Sequence, residues 1–100
     1  MSEPGIRVDG RTRRVEILCG RSWKEAAPLS PKEFELLDFF LRHPGALVER
    51  RRLLDELWPK EVNPGTVDRH VQSLRRKLGV QGARLKPVRG RGYVLGAKDL

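Results

Sequence analysis

Asn63-Pro64-Gly65-Thr66-Val67-Asp68-Arg69-His70-Val71-Gln72-Ser73-Leu74-Arg75-Arg76-Lys77-Leu78-Gly79, followed shortly by Val88-Arg89-Gly90-Arg91-Gly92-Tyr93, is the stretch that decides the fold. Asn63 is a good helix N-cap, and Pro64 suits the first helical position, where a missing N–H costs nothing. Gly79 supplies the C-terminal stop. Between them Val67, Val71, Leu74 and Leu78 fall within roughly 60° of one another at about 100° per residue, which makes one apolar seam. The opposite arc carries Gly65, Thr66, Arg69, Gln72, Ser73 and Arg76. His70 and Lys77 flank it on one side, Asp68 and Arg75 on the other. Residues 84–88 and 91–95 then read as a hairpin around Gly90 and Gly92, with Arg89 and Arg91 at its tip. A basic helix with a basic hairpin behind it can enter one groove of a duplex and touch the next.

The charge distribution supports that reading more than the total does. The net charge is +8, and a chain this basic (pI near 10.6) favours an anionic partner. Residues 1–50 hold nine Lys and Arg against eight Asp and Glu, whereas residues 51–100 hold twelve against five. Between Gly65 and Leu95 there are eight basic residues and a single acid, Asp68. The positive charge is concentrated on the segment that already reads as a binding surface.

Upstream, Ile6-Arg7-Val8 and Arg13-Arg14-Val15-Glu16-Ile17-Leu18 flank Asp9-Gly10, a hairpin signal. Gly20 opens a third β-like piece at 21–24, and Pro28-Leu29 is a candidate short fourth strand. Together they predict a small antiparallel sheet. Ser30-Pro31-Lys32-Glu33 is a helix start: Ser30 can accept an orphan backbone N–H, and Glu33 can reach back to complete a capping box. Phe34, Leu37 and Leu41, with Leu36 and Phe40 beside them, give that helix its apolar face, and His43-Pro44-Gly45 ends it. Ala46-Leu47-Val48 suits a brief strand. A second helix over about residues 50–58 buries Leu53, Leu54, Leu57 and Trp58 before Pro59 stops it. One hundred residues make one domain, here 6–95, with 1–5 as a disordered lead and 96–100 as a C-terminal tail.

These marks, in this order, resemble the winged-helix effector domain of OmpR/PhoB-type response regulators. They are Leu29-Ser30-Pro31-Lys32-Glu33-Phe34-Glu35-Leu36-Leu37, His43-Pro44-Gly45, Leu53-Leu54 with Leu57-Trp58, Thr66-Val67-Asp68, Leu74-Arg75-Arg76-Lys77-Leu78 and Val88-Arg89-Gly90-Arg91-Gly92-Tyr93. The resemblance implies an α+β winged helix-turn-helix: an N-terminal small antiparallel sheet, three helices and a C-terminal β-hairpin wing. It implies that helix 64–78 lies in the major groove, with Arg69, Gln72, Ser73 and Arg76 facing bases. By position, Thr66, His70, Arg75, Lys77 and Arg91 would meet phosphates, and Arg89 would enter the flanking minor groove. Lys60, Glu61 and Val62 match a loop that meets RNA polymerase in several members. Implied partners are double-stranded DNA with tandem half-sites, a second copy of the domain on that DNA, and a receiver domain in the full-length protein. This chain departs from the family at Gly65, where an arginine is usual, and at Glu49, where a serine usually caps the second helix. Segment 20–30 is longer than usual and loop 59–63 is shorter.

Other function classes find less support. No carboxylate pair, nucleophile–base set or phosphate-cradling loop emerges, so an enzyme is not expected. No cofactor is implied. His70 has no metal-ligand spacing with His43 or Cys19. A lone cysteine and the lack of a signal peptide or long apolar run point to the cytoplasm. Arg75 is balanced between a phosphate contact and an internal ion pair with Asp68. Trp58 and Tyr93 read as core and wing base, while Trp23 stays open. The competing reading is a winged helix that binds polymerase or another protein without reading DNA sequence. Whether the natural chain carries a receiver, stands alone or opens a one-component activator is left open.

Overall fold

A computed structural model of the protein describes residues 2–96; of the tail expected at 96–100, residues 97–100 lie outside the described residues. An antiparallel sheet comes first, in the order β1 (Ser2–Glu3), β2 (Ile6–Asp9), β3 (Arg14–Cys19), β4 (Ser22–Glu25). Ile6, Val8, Val15 and Ile17 alternate inward while Arg7, Asp9, Arg14 and Glu16 face solvent, the period-two pattern of a sheet wet on one side. Helix α1 (Pro31–Arg42) follows, then β5 (Val48–Glu49), α2 (Arg50–Leu57) and α3 (Gly65–Lys77). A 3-10 segment (Gly79–Arg84) leads into β6 (Leu85–Val88) and β7 (Gly92–Leu95). The second sheet runs β5-β7-β6, so the last strand lies in its middle.

The helix termini follow the local chemistry. Ser30 and Glu33 make the reciprocal capping box at α1: Glu33 N–H donates to Ser30 Oγ at 3.2 Å and Ser30 N–H to Glu33 Oε1 at 2.7 Å. At α3, Asn63 Oδ1 accepts from Gly65 N–H at 2.7 Å, and Pro64 already has helical dihedrals. Helix α2 has no side-chain cap at Glu49, matching the departure seen in the sequence. One core joins both sheets to the helices through Ile6, Leu36, Leu37, Phe40, Leu53, Val67, Val71, Leu74 and Leu78, with Tyr93 and Leu95 from the wing.

Four expectations are corrected. The strand that completes the first sheet is Ser2–Glu3, not Pro28-Leu29, which stay outside any strand. The lead at 1–5 is therefore not disordered over 2–5. Glu3 Oε1 and Oε2 take Arg84 Nη1 and Nη2 at 2.7 and 2.5 Å, and Oε1 also takes Gly5 N–H at 3.0 Å. Arg84, expected to open the hairpin, closes the 3-10 segment instead, with its side chain 8% exposed. Asp9-Gly10 does not form a two-residue turn. Asp9 Oδ1 gathers the N–H groups of Arg11 and Thr12, and the positive φ falls on Arg13 (60°), four residues on.

Among the described residues no helix is long and apolar enough to cross a membrane. Glu3 neutralises a guanidinium that has little access to water, so Glu3→Ala removes two charge-assisted hydrogen bonds from it while those to Gln81 Oε1 and Gly96 O remain. A loss of about 3 kcal/mol is expected, at the low end for a broken buried pair because Glu3 keeps 22% exposure. Urea denaturation of wild type and variant measures it.

Candidate nucleic-acid interface

Helix α3 buries Val67, Val71 and Leu74 completely, with Leu78 just beyond its end. Its far side then has one solvent stripe: Arg69, Gln72 and Arg76 are all exposed. They are spaced three and four residues apart, so they lie one above another along the helix. Arg69 Nη2 leans back onto Thr66 Oγ1 at 3.4 Å, and no acid competes for either exposed arginine in the described hydrogen bonds. Of the side chains expected to face bases, these three stand together on that stripe.

Ser73 and Lys77 do not join it. Lys77 Nζ donates to Glu33 Oε1 at 2.7 Å, and the Ser73 hydroxyl also bonds Glu33. Both sit on the flank of α3 that meets the start of α1. A buried carboxylate left unpaired would be costly, so the lysine turns inward. Lys77 and Ser73, expected at a phosphate and at a base, are thus held on the α1 flank and are not brought onto the stripe with Arg69, Gln72 and Arg76. Glu33 itself is 4% exposed. Burial alone would raise its pKa, but Lys77, Ser73 and the Ser30 N–H outweigh burial and bring it down to about 2.

The remaining flanks differ. His70 Nδ1 donates to Thr66 O at 2.7 Å, and its ring meets Trp58 edge-on at 5.4 Å. Trp58 is half-buried against the core, and Lys32 Nζ lies 5.1 Å above its ring. Arg75 does not pair with Asp68, whose partners are Arg50 Nε at 2.9 Å and the Tyr93 hydroxyl. The Arg75 Nε is buried and has no hydrogen-bond partner among the described residues. Burial pushes Asp68 up, yet the bonds from Tyr93 and Arg50 hold it below its usual range. Tyr93 is driven the other way, to about 12, by burial and then by that bond to the carboxylate. Trp23 lies on the outer face of the first sheet under the Arg7 guanidinium, 3.7 Å from its ring centroid.

The wing tip is a β-turn closed by Arg91 N–H on Val88 O at 2.9 Å. Gly90 takes φ 74° at the third position, the left-handed conformation a type II turn requires there. Arg89 and Arg91 are exposed on either side of it. Gly92 serves packing instead: an added Cβ would lie 2.0 Å from Val48 O. In loop 59–63, Lys60 and Glu61 are exposed and Val62 half-buried; with Arg51, Leu54, Asp55 and Trp58 they line an open hollow of about 310 Å³. No group of three or more metal-ligating side chains forms among the described residues.

A family model described as "Transcriptional regulatory protein, C terminal" matches residues 24–95. The chain belongs to this family. It is 40% identical over 88 residues to the transcriptional regulatory protein QseB of Escherichia coli O157:H7, covering 86% of this chain and 37% of that protein. It is 36% identical over 93 residues to the phosphate regulon regulator PhoB of Escherichia coli K12, covering 89% and 38%. The chain thus spans well under half the length of these relatives. Among solved structures, the response regulator AdeR DNA-binding domain, in complex with an intercistronic region, superposes with TM-score 0.83 at 30% identity over 96% of this chain and 98% of that one. The Klebsiella pneumoniae RstA DNA-binding domain, in complex with the RstA box, gives 0.79 at 27% identity over 96% and 95%. The α+β winged-helix fold is that of response-regulator effector domains.

Sequence reasoning missed the reach of Glu33 into α3 and the meeting of Arg50, Asp68 and Tyr93. The isolated acid at Asp68 was the available signal for the second. Because Glu33 has its pKa lowered to about 2 from 4.5, it stabilises the fold fully above about pH 4.5 and loses that contribution as pH falls toward 2. The shift corresponds to something on the order of 3 kcal/mol. In thermal melts from pH 6 down to pH 2, wild type should converge on Glu33→Gln, which starts lower and changes less. Parallel curves would refute the assignment.

Proposed function

We propose that this domain binds double-stranded DNA sequence-specifically, as the output domain of a two-component response regulator in the cytoplasm. The observation that carries the reading is the stripe Arg69–Gln72–Arg76. It is exposed on a helix whose opposite side is fully buried, and it lies in the same basic third of the chain as the exposed wing arginines. An α-helix of this kind fits the major groove, where arginine and glutamine can each make paired hydrogen bonds to a base edge. Arg69, Gln72 and Arg76 read bases in this scheme. Thr66, His70, Arg75 and Arg91 meet phosphates, and Arg89 enters a narrow, A·T-rich minor groove. The complexes formed by the AdeR and RstA domains support the reading.

The rest of the scheme belongs to the longer protein. A receiver domain joined to this one would drive pairing of two copies on tandem half-sites. Lys60, Glu61 and Val62 are the proposed polymerase contact, supported by the exposure of the first two and the open hollow behind them.

Some four to six phosphate neutralisations per domain give a log–log salt slope of about −4 to −5. Fluorescence anisotropy with a labelled duplex at several salt concentrations measures it. A flat response favours the protein-interaction alternative. Arg69→Ala should cost about 1–3 kcal/mol and relax preference at one base pair in a selection from random DNA. Uniform weakening across all sequences would make Arg69 a phosphate contact.

A further inference from the structure

Asp68 is the sole acid among residues 65–95. It stands in the first turn of α3, one residue from Arg69, where a free carboxylate would repel the phosphates that the neighbouring arginines attract. Instead, one oxygen accepts from two other elements. Arg50 Nε, from the first residue of α2, approaches to 2.9 Å, and the Tyr93 hydroxyl arrives from β7. Arg50 also grips the wing directly. Its backbone N–H donates to Arg91 O at 3.3 Å, and its guanidinium lies 5.6 Å from the Tyr93 ring centroid. The major-groove helix, the wing and the start of α2 therefore meet at one carboxylate.

The lever from that point to the wing tip is short. Arg91 stands two residues before Tyr93, about 7 Å along an extended strand. A bond that fixes the Tyr93 hydroxyl thus constrains where Arg91 and Arg89 sit relative to Arg69, Gln72 and Arg76. We propose that Asp68 is a positioning residue for duplex binding: bonded to Tyr93 and Arg50, it holds the wing arginines at the offset that lets helix and wing engage DNA together. This role rests on the DNA-binding reading above.

Charge and positioning predict opposite signs, which makes the test decisive. By charge alone, Asp68→Asn removes a repulsion and releases Arg50, so duplex affinity rises on every sequence. By positioning, affinity falls, and it falls through the wing. Tyr93→Phe removes one oxygen and no charge, and it serves as the second variant should Asp68→Asn fold poorly. Affinities for A·T-flanked and G·C-flanked duplexes are measured by anisotropy for wild type, both variants, Arg89→Ala, and each variant combined with Arg89→Ala or Arg69→Ala. Each variant should weaken binding to the A·T-flanked duplex by about threefold to tenfold. Combined with Arg89→Ala, either should be little worse than Arg89→Ala by itself, whereas losses with Arg69→Ala should multiply. In the free protein, Tyr93→Phe should speed hydrogen exchange at the Arg50 amide about tenfold and leave the α1 amides at wild-type rates. Tighter binding by Asp68→Asn, full additivity with Arg89→Ala, or an unchanged Arg50 amide in Tyr93→Phe overturns the role while the DNA reading stands. A wild type that binds no duplex at low salt overturns the DNA reading itself, and the role with it.

Discussion

Val67, Val71, Leu74 and Leu78 are withdrawn from water along one line of α3 and just past its end, and that burial sets the rotation of the helix about its own axis. Turning a helix by one residue swings each side chain about 100°. For α3 it would bring charged or polar groups toward the core in place of the aliphatic seam. Each buried aliphatic side chain is worth roughly 1.5–3 kcal/mol, so competing rotations are excluded by several such increments. The exposed stripe is the geometric complement of this seam. The residues that face outward are displayed because their neighbours are held inside.

The tertiary structure sorts seven of the arginines and lysines into two sets. Lys77, Arg84 and Arg50 are drawn into the protein by Glu33, Glu3 and Asp68, each acid placed where a helix or strand begins or ends. Arg69, Arg76, Arg89 and Arg91 are left outside with no acid opposite them in the described ion pairs. Net charge therefore overstates what the surface offers. What distinguishes the two sets is proximity to a carboxylate brought in by another element, a property of the tertiary structure.

That is also where the sequence stopped being legible. Elements governed by local rules were readable: the capping box at Ser30 and Glu33, the Asn63-Pro64 start, the seam of α3 and the turn at Gly90 are all contained within a few residues. The exposed trio Arg69, Gln72 and Arg76 followed from the same periodicity. What could not be read depends on partners distant in the chain. Glu33 and Lys77 are 44 residues apart, and Glu3 and Arg84 are 81 apart. Periodicity assigned Ser73 to the same broad arc as Arg76, but it carries no information about which edge of that arc another helix covers. The two-residue strand at Ser2–Glu3 was likewise invisible, because its stability comes from pairing with β2 and from Arg84, not from its own composition.

The order of the second sheet carries a consequence for how such domains can diversify. Strand β7 is bonded to β5 on one edge and β6 on the other, and Gly92 lets the Val48 backbone approach to within a contact no side chain would tolerate. The base of the wing is thereby anchored like an interior strand. The turn at residues 89–91 is bounded on both sides by paired backbone, from Val88 opposite Gly92 inward. Exchanges at Arg89 or Arg91, on either side of the left-handed Gly90, would leave the register beneath them untouched. The fold separates a closely packed root from a tip whose two exposed arginines can be replaced, so the charge at the tip can change without renegotiating the core.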